Sequence, residues 1–513
     1  MSVTRRQLLN RGAVTGVGIV AASTGIAAEP TVTQAAETTS RDIARNLGSL
    51  FPPLESSAGD LLALPKGFAY QVVAESGVTD LHDGRGKLIG KTPERPDGTG
   101  VVRTANGLHL LQNHEAGPGS PQPVPFVSGT VYDHGALGGG VTVIETTTAG
   151  RRLSEWVGLS GTISNCAGGI TPWGSWLTCE ETDAIAGTLV GTATLEKDHG
   201  YIFEVLPTTP DQQSPRPIKA WGRAPHEAVV IEPSRTMAYI TEDAKAPTGL
   251  LYRWTAPEGY RLRPYIADSL RPDDGRLQAM VVHTQDGSVL PDLAYVTAAQ
   301  IGRPFKVSWK HVPDRHATTT PTRSQFAAGE VTHSKKLEGA WGDKHGLYFA
   351  ASFAFGEGDL PADATKHDGQ IWYYHYGSTT LTLMAYFPYN ELLHSETLDP
   401  ETGLGLSLDL AFDGPDNVHV SPYGSLILAE DGNTANHLLS WSRETGAQAI
   451  ARNLIVLEQT SSGANVYSEM TGPTFSPNGH LLFGNVQEPG HTFAIRGPWG
   501  KYLGRRSDQG RLS

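Results

Sequence analysis

The chain has 513 residues, with 40 Lys and Arg against 53 Asp and Glu, so its formal net charge is −13. Hydrophobic residues make up only 39% of the chain, which argues against a multispanning membrane protein. The negative balance argues against a nucleic-acid partner, because non-specific binding to phosphates needs a basic surface.

The amino terminus carries an export pattern. Thr4–Leu9 contains two consecutive arginines, an uncharged stretch rich in Ala, Gly and Val follows over Gly12–Ala28, and small residues then offer cleavage points. This order is typical of a bacterial twin-arginine (Tat) signal peptide, which we predict over 1–36. The uncharged stretch is too short and too weakly apolar for a stable membrane span. We therefore expect the Tat machinery to export the protein, which is then secreted or stays in the cell envelope.

The remaining chain is predicted to contain a polar N-terminal arm (37–60), one folded body (61–505) and a C-terminal tail (506–513). In the body, short runs rich in Val, Ile, Tyr, Phe and Trp alternate with clusters of Gly, Pro, Asp and Asn. This alternation predicts short strands, for example Phe68–Val73, Val141–Glu145, Tyr201–Val205, Met237–Thr241, Leu347–Ser352 and Gln370–Tyr374.

An internal repeat indicates the architecture. Residues 417–432 align with 474–486 through a shared Ser-Pro-x-Gly-x-Leu core, and each segment reads as strand, tight turn and strand. Only two helices are predicted, Thr297–Ile301 and Thr320–Ala328. The predicted fold is all-β: a six-bladed β-propeller with an N-terminal arm and long loop insertions, at about 75 residues per blade. A large β-sandwich with insertions is the alternative.

Two cysteines, Cys166 and Cys179, are the only ones in the chain. In an exported protein they could form a disulfide, or one could serve as a metal thiolate. They lie in the segment Asn165–Glu181, where two consecutive glycines are expected to give the backbone unusual freedom. A strand then leads to Glu180 and Glu181, of which only one can face inward along a regular strand.

Acidic residues recur where strands are predicted to start or end. Each alone is typical of a solvated turn, but a propeller brings one segment per blade to a common axis. Many carboxylates together favour calcium or magnesium, and a thiolate among them favours a softer transition metal. The positions are Glu227, Glu242, Asp243, Glu338, Asp416, Glu430, Asp431 and Glu469.

At these residues the chain resembles the PhoX family of secreted bacterial alkaline phosphatases. The most specific matches are Asn165–Glu181, Glu469–Gly479 and Phe483–Gly490. Shorter matches include Asn113-His114-Glu115 and Pro96–Gly100. The resemblance implies a six-bladed propeller with an iron pair and several calcium ions near its axis.

The resemblance also implies roles for individual residues. Cys166 matches the iron ligand, with Cys179 as the alternative, and Asn113 matches a contact to phosphate or calcium. The carboxylate ligands are implied at Glu227, Asp243, Glu338 and Glu469; with Glu242 and Asp416 from the acidic pattern they form the predicted metal set.

Two basic residues complete the predicted site. Lys336 stands where the family often has an arginine that can contact phosphate, so the charge is kept but the bidentate fork is lost. Arg253 is predicted to assist from the side; alternatively, it and Trp254 are a strand-end pair packed beneath a blade.

The sequence therefore predicts a secreted phosphatase that hydrolyses small phosphate monoesters with calcium and iron as cofactors. Metal ions would bind the phosphate oxygens and stabilise the charge that develops during the reaction. A calcium-dependent propeller hydrolase of another class, such as a lactonase or phosphodiesterase, is the first alternative. A binding propeller that has lost its metals is the second. The sequence does not predict an oligomeric state.

Overall fold

The computed structural model describes residues 51–191, 193–245, 248–354, 368–389, 412, 414–432, 435–461, 463 and 465–504. The predicted signal peptide, the predicted tail and residues 37–50 of the predicted arm lie outside this part of the chain. Within it, no helix has the length and apolar character needed to cross a membrane.

Strands dominate the described chain, because its β-branched and aromatic runs are short and are separated by turn residues. The first strands in chain order are β1 (Leu54–Glu55), β2 (Leu62–Pro65), β3 (Ala69–Glu75), β4 (Asp80–His82), β5 (Leu88–Lys91), β6 (Pro96–Arg103), β7 (Leu108–His114), β8 (Gly139–Thr146), β9 (Arg152–Thr162), β10 (Asn165–Ile170), β11 (Trp176–Glu180), β12 (Leu189–Val190), β13 (Ala193–Thr194), β14 (Ile202–Val205), β15 (His226–Ile231), β16 (Met237–Glu242) and β17 (Gly249–Thr255).

The series continues with β18 (Arg276–His283), β19 (Pro304–His311), β20 (His333–Ser334), β21 (Leu337–Gly342), β22 (Gly346–Ala354), β23 (Asp368–His375), β24 (Thr380–Phe387), β25 (Pro415–Val420), β26 (Leu426–Glu430), β27 (His437–Ser442), β28 (Gly446–Asn453), β29 (Val456–Gln459), β30 (Asn465–Tyr467), β31 (Met470–Phe475), β32 (Leu481–Val486) and β33 (His491–Arg496). Helical pieces are short: α1 (Ile266–Ser269), α2 (Trp499–Tyr502) and 3-10 turns at Pro210–Gln212, Lys219–Trp221, Leu293–Tyr295, Ala298–Gln300 and Thr322–Ser324.

The strands form mainly antiparallel sheets. Four sheets are separate, in the orders β5-β4-β9-β8-β7-β6, β10-β11-β14, β1-β2-β28-β27-β26-β25 and β3-β33-β32-β31. A ten-stranded sheet runs β15-β16-β17-β18-β19-β24-β23-β22-β21, with β20 paired to β17. The remaining described ladders, β12-β13 and β29-β30, have two strands each.

Six strands lie innermost and surround a common axis. β6, β10, β15, β21, β25 and β31 contact one another in that order, and β31 contacts β6. The N-terminal strand β3 pairs with β33, with Tyr70 opposite Ile495, and so completes the sheet built from the C-terminal strands. The protein is therefore all-β with a propeller-type arrangement.

The prediction of six separate blades needs correction. Two four-stranded groups, β15 to β18 and β21 to β24, are joined because β19 pairs with both β18 and β24. At the second junction Pro304 lies opposite Thr382 and Lys306 opposite Thr380. The described strands therefore give four separate sheets and one large joined sheet instead of six independent ones.

Two other predictions are modified by the structure. The helix predicted over Thr320–Ala328 is limited to the single 3-10 turn Thr322–Ser324, and Thr297 caps the short turn Ala298–Gln300. The described end of the predicted arm packs on the body: β1 pairs with β2, and the ring of Phe51 stacks on Tyr502 with centroids 5.0 Å apart. The two 3-10 turns stay short because i→i+3 hydrogen bonds have poorer geometry than those of an α-helix.

The same irregularity interrupts all six innermost strands. In each one, two residues oppose a single residue of the next strand, which is the definition of a β-bulge. The shifts fall between Pro96 and Thr99 (β6), Asn165 and Gly168 (β10), His226 and Val229 (β15), Leu337 and Ala340 (β21), Pro415 and Val418 (β25), and Thr471 and Thr474 (β31). Because a bulge redirects a side chain, the repeated bulges can turn side chains from several strands toward the same end of the axis.

Candidate metal centre

The first residue of each bulge carries the chemistry of the site. In five of the six innermost strands it is ionisable, and in β31 it is Gly472. The five bulge residues are Asp97, Cys166, Glu227, Glu338 and Asp416. The sixth strand contributes Glu469, which precedes β31 by one residue.

A second set of carboxylates follows the neighbouring strands. In an antiparallel pair, the end of the second strand lies beside the start of the first. β7, β11, β16 and β26 each end one residue before an acidic side chain, so these side chains reach the same end of the axis. The four residues are Glu115, Glu181, Asp243 and Asp431.

Together these side chains form what we call the axial cluster: Asp97, Glu115, Cys166, Glu181, Glu227, Asp243, Glu338, Asp416, Asp431 and Glu469. Seven of the ten residues have potential ligand atoms within 4.8 Å of one another, in three groups that share members. The groups are Cys166, Glu181 and Glu227; Glu227, Glu338 and Asp416; and Asp416, Asp431 and Glu469. The cluster runs from a buried thiol to the exposed Asp431.

Burial and mutual repulsion make the cluster electrostatically costly without cations. Burial raises the pKa of Asp243 to about 7, with the nearby Glu338 as the second cause. Burial, followed by Glu227, also raises the pKa of the Cys166 thiol well above its usual value. Burial first and negative neighbours second raise the pKa well above the ordinary range for the carboxyls of Asp97, Glu181, Glu227, Asp416 and Glu469.

Few cations offset this charge among the described residues. Lys336 Nζ lies 3.0 Å from Glu338 Oε1, and this neighbour raises the pKa of Lys336 well above its usual value. Arg95 pairs with Glu115 at 2.6 Å, on the other side of the cluster. Nine carboxylates therefore share a small number of basic partners.

The two cysteines have different surroundings. Both are buried and free, so the disulfide alternative is not formed. Cys166 lies with two carboxylates, whereas Cys179 packs in an apolar group with Leu177 and Ile202. The geometry favours Cys166 as the thiol of the site.

The two glycines after Cys166 serve close packing instead of an unusual backbone shape, which corrects the expectation from the sequence. Neither has a positive φ. A Cβ atom on Gly168 would lie 2.1 Å from the carbonyl oxygen of Leu177, and one on Gly169 would lie 1.8 Å from that of Val229. Any larger residue would push β10 away from its neighbours.

Glu242, predicted as a metal ligand, is not a member of the axial cluster, because its carboxylate is bound by other partners. Its carboxylate accepts hydrogen bonds from Tyr252 Oη (2.7 Å), Arg323 Nη1 (3.0 Å) and the backbone N–H of Leu250 (3.2 Å). Burial raises its pKa to about 7. Glu242 therefore ties the end of β16 to the start of β17, and its neighbour Asp243 turns to the axis.

The same division occurs in two other acidic pairs. Glu180 accepts from His199 Nδ1 (2.6 Å) and from two backbone N–H groups that lead into β14, while Glu181 joins the cluster. Glu430 accepts from the backbone N–H of His437 (3.0 Å), while Asp431 joins the cluster. In each pair the first carboxylate anchors the next strand and the second reaches the axis, so only one of Glu180 and Glu181 faces inward, as predicted.

Asn113 supports the site from behind. Its amide donates to the carbonyl oxygens of Cys166 (2.6 Å) and Ala167 (2.7 Å), and its Oδ1 accepts from Trp176 Nε1 (2.8 Å). The side chain is fully buried. Both of its donor hydrogens are therefore used to hold the β10 bulge that presents the thiol.

The structure does not bring Arg253 to the cluster. It lies within β17, opposite Tyr239 and Gln278 in the neighbouring strands. Its guanidinium donates to Gln278 Oε1 (2.8 Å) and stacks on Trp309, 4.6 Å from the ring centroid. This matches the alternative interpretation of a packed strand residue.

Four members of the cluster were not in the metal set predicted from the sequence: Asp97, Glu115, Glu181 and Asp431. Each had a signal, because Pro96–Gly100 was already a matched motif and the other three end strand-like runs. What the sequence could not show is the bulge, which decides that Asp97 leaves the sheet surface and turns to the axis.

The fold and the site together define an all-β, propeller-type protein with a partly buried carboxylate and thiol cluster suited to metal ions. The family model of alkaline phosphatase PhoX matches residues 49–490. The chain belongs to this family and is a phosphatase.

Several solved structures match the chain at low sequence identity. Pseudomonas fluorescens PhoX in complex with vanadate, a transition state analogue, has a TM-score of 0.57 at 16% identity, and the match covers 88% of this chain and 99% of that chain. The holo form of the pyranose dehydrogenase PQQ domain from Coprinopsis cinerea has a TM-score of 0.33 at 10% identity, covering 88% and 98%. A putative 6-phosphogluconolactonase from Bacteroides fragilis has a TM-score of 0.31 at 11% identity, covering 77% and 96%. No curated protein sequence matches the chain.

Proposed function

We propose that the protein is a secreted, metal-dependent alkaline phosphatase that hydrolyses phosphate monoesters at the axial cluster, with calcium and iron as its metal ions. One observation carries the proposal: six carboxylates and a thiol lie in three overlapping groups, three further carboxylates interact with them, and the described residues supply few basic partners. Bound cations would keep these groups ionised, because without cations their raised pKa values favour protonation.

The donor set fits the proposed metals. Asp97 Oδ1 and Asp243 Oδ1 are buried and have no hydrogen-bond partner, so their oxygens are available for a cation. Carboxylate oxygens are the ligands that calcium prefers, and a thiolate suits iron better than calcium. We therefore assign iron to the end that contains Cys166, Glu181 and Glu227, and calcium to the end that contains Asp416, Asp431 and Glu469.

When bound, such ions supply Lewis-acid stabilisation of phosphate oxygens and lower the pKa of water. The protein's own part is to hold the ligands in place. Ser352 Oγ donates to Glu338 Oε1 (2.6 Å), and Asn113 fixes the peptide that carries Cys166. These two sets of hydrogen bonds keep the ligands oriented before substrate arrives.

Lys336 is the proposed phosphate contact. Its side chain is 27% exposed, whereas that of its partner Glu338 is 5% exposed, so Lys336 is the more accessible member of the ion pair. A lysine is a point charge that can bind one phosphate oxygen while keeping its ion pair. In the hydrolysis, the P–O bond to the alcohol breaks, a P–O bond to the oxygen of water forms, and a proton passes to the alcohol.

The proposal extends to export and to the symmetry of the site. The twin-arginine pattern supports export of the folded protein to the cell envelope or the medium. The six innermost strands, each with a bulge at the equivalent place, support a six-fold repeat of the backbone around the site even though two sheets are joined.

The test is hydrolysis of p-nitrophenyl phosphate at alkaline pH by protein purified from a Tat-competent host, before and after treatment with a chelator. We expect activity that the chelator removes and that calcium and iron restore. Hydrolysis that survives complete metal removal would contradict the proposal. Metal-dependent hydrolysis of lactones or phosphodiesters without monoesterase activity would favour the other class of propeller hydrolase.

A further inference from the structure

Two basic side chains occupy equivalent positions on opposite sides of the axial cluster. Arg95 immediately precedes β6, and Lys336 immediately precedes β21. In the ring of innermost strands, two strands separate β6 from β21 in either direction. Both residues also have the left-handed backbone conformation that non-glycine residues rarely adopt, with φ of 51° and 52°. The same conformation precedes β10 at Ser164 (φ 48°) and β25 at Gly414 (φ 51°), so it belongs to the repeat of innermost strands, and Arg95 and Lys336 are its two basic members.

Arg95 is held at the edge of the cluster by a defined network. Its Nη2 donates to Glu115 Oε2 (2.6 Å), and its Nη1 donates to Glu488 Oε1 (2.9 Å). Glu115 also accepts from Gln487 Nε2 (2.9 Å), and the same amide donates to Asp97 Oδ2 (3.1 Å). The guanidinium therefore contacts one member of the cluster directly, Glu115, and is linked to a second, Asp97 in the β6 bulge, through Glu115 and Gln487.

In this network, the ion pair between Arg95 and Glu488 is accessible to solvent, so another anion can take the place of Glu488. The side chains of Arg95 and Glu488 are 35% and 46% exposed. Ion pairs between exposed side chains contribute little, so an incoming anion can replace Glu488 at small cost. Arginine binds carboxylate and phosphate through two parallel hydrogen bonds, which gives it an advantage over other cations at such a position.

We propose that Arg95 binds a second anionic group of the substrate, a carboxylate or phosphate carried by its alcohol part, while Lys336 binds the phosphoryl group that is transferred. This inference rests on the proposed function and narrows the substrate class to phosphate monoesters with an additional negative charge. The bonds broken and formed in hydrolysis stay the same; Arg95 selects the substrate.

The test compares matched aryl phosphates that differ only at the para position. 4-Carboxyphenyl phosphate and 4-phosphonophenyl phosphate carry the second charge, and 4-carbamoylphenyl phosphate is the neutral control. The wild-type enzyme should favour one or both charged esters by about tenfold in kcat/KM, the effect of one charge-assisted contact. Arg95→Gln should bring this ratio close to 1, and Arg95→Lys should keep part of it.

Glu488→Gln provides the matched control, because it removes the group that competes with the substrate for Arg95. It should raise the preference for the charged esters. A purely structural role of Arg95 would change kcat/KM for charged and neutral esters alike and leave their ratio unaltered. If Arg95→Gln fails to fold, the Arg95→Lys and Glu488→Gln ratios still decide the question.

The proposal is overturned if the wild-type ratio is close to 1 or if the ratio is the same in the wild type and in all three variants. Loss of every phosphatase activity would instead count against the proposed function. Binding of 4-carboxybenzylphosphonate and 4-carbamoylbenzylphosphonate, measured by calorimetry, then tests Arg95 without catalysis. Stronger binding of the carboxylate that disappears in Arg95→Gln supports the assignment, and equal binding of the two probes overturns it.

Discussion

Glu242 and Asp243 are consecutive residues whose carboxylates serve different parts of the molecule. Glu242 is bound to Tyr252, Arg323 and the backbone N–H of Leu250, whereas Asp243 faces the axial cluster with a buried Oδ1 that has no hydrogen-bond partner. The end of β16 lies between them, so one side chain fastens the blade and the other enters the site. Substitutions at these two positions can therefore separate effects on the stability of the fold from effects on metal binding.

We predict that Glu242→Gln lowers the stability of the protein and that Asp243→Asn lowers its metal binding. Glu242→Gln weakens a buried hydrogen-bonded ion pair and should lower the free energy of unfolding of the metal-free protein by about 2 kcal/mol. Asp243→Asn removes a charge that its neighbours repel, so it should not destabilise the metal-free protein but should reduce the bound metal. Urea denaturation and metal analysis measure the two effects. Equal metal loss in both variants would contradict the division of roles.

Cys166→Ala should remove the bound transition metal and the phosphatase activity while leaving the fold in place. The matched control is Cys179→Ala, because Cys179 is buried among apolar side chains away from the acidic groups. It should retain metal and activity and lose about 1 kcal/mol of stability from the small cavity. Full activity of Cys166→Ala would remove the thiol from the site.

Lys336→Ala should raise KM for p-nitrophenyl phosphate by about tenfold, because a charge-assisted contact to the phosphoryl group is lost. Lys335→Ala is the neighbouring control: its ammonium group lies over the ring of Phe353, 3.4 Å from the centroid. Lys336→Arg, which introduces the residue common in the family, should keep KM low. The assignment fails if the Ala variants at 335 and 336 have the same KM.

His419 predicts a loss of stability in acid. Burial lowers its pKa to about 3, and its Nε2 accepts the backbone N–H of Phe475 (3.2 Å), so the folded protein needs the neutral ring. The unfolded chain binds a proton near pH 6.5, so stability should fall by about 1.4 kcal/mol per pH unit between pH 6.5 and pH 3.

His419→Gln keeps an acceptor near the position of Nε2 but cannot be protonated in this range. Between pH 7 and pH 5 the wild type should lose about 2 kcal/mol more of its free energy of unfolding than the variant does. Urea denaturation of the metal-free proteins at both pH values measures the difference. Parallel loss in the two proteins would show that His419 is not the titrating group.

Much of the fold follows from local patterns in the sequence. The six strand runs predicted from β-branched and aromatic residues all overlap strands, from β3 to β23, and the aligned segments form the equivalent hairpins β25–β26 and β31–β32. The count of separate blades could not be predicted, because the joining of two groups depends on a three-residue ladder between β19 and β24. A pairing between strands so far apart leaves no signal in either strand alone.

For the site, too, the local sequence predicted which residues are candidates but not the direction of each side chain. The recurrence of acidic residues at strand ends and the resemblance to the PhoX family together indicated Cys166, Glu227, Asp243 and Glu338. Glu242 was assigned to the same set because alternation along a strand does not say which face is the axis. The direction of each side chain depends on bulges and on buried partners from other parts of the chain, such as Arg323.

The most direct test of the central claim is the metal content of the exported protein, measured by elemental analysis and expressed per chain. We predict calcium and iron together in the wild type, with iron lost in Cys166→Ala and both retained in Cys179→Ala. Protein that is folded, active on p-nitrophenyl phosphate and free of bound metal would contradict the claim that the axial cluster is a metal centre.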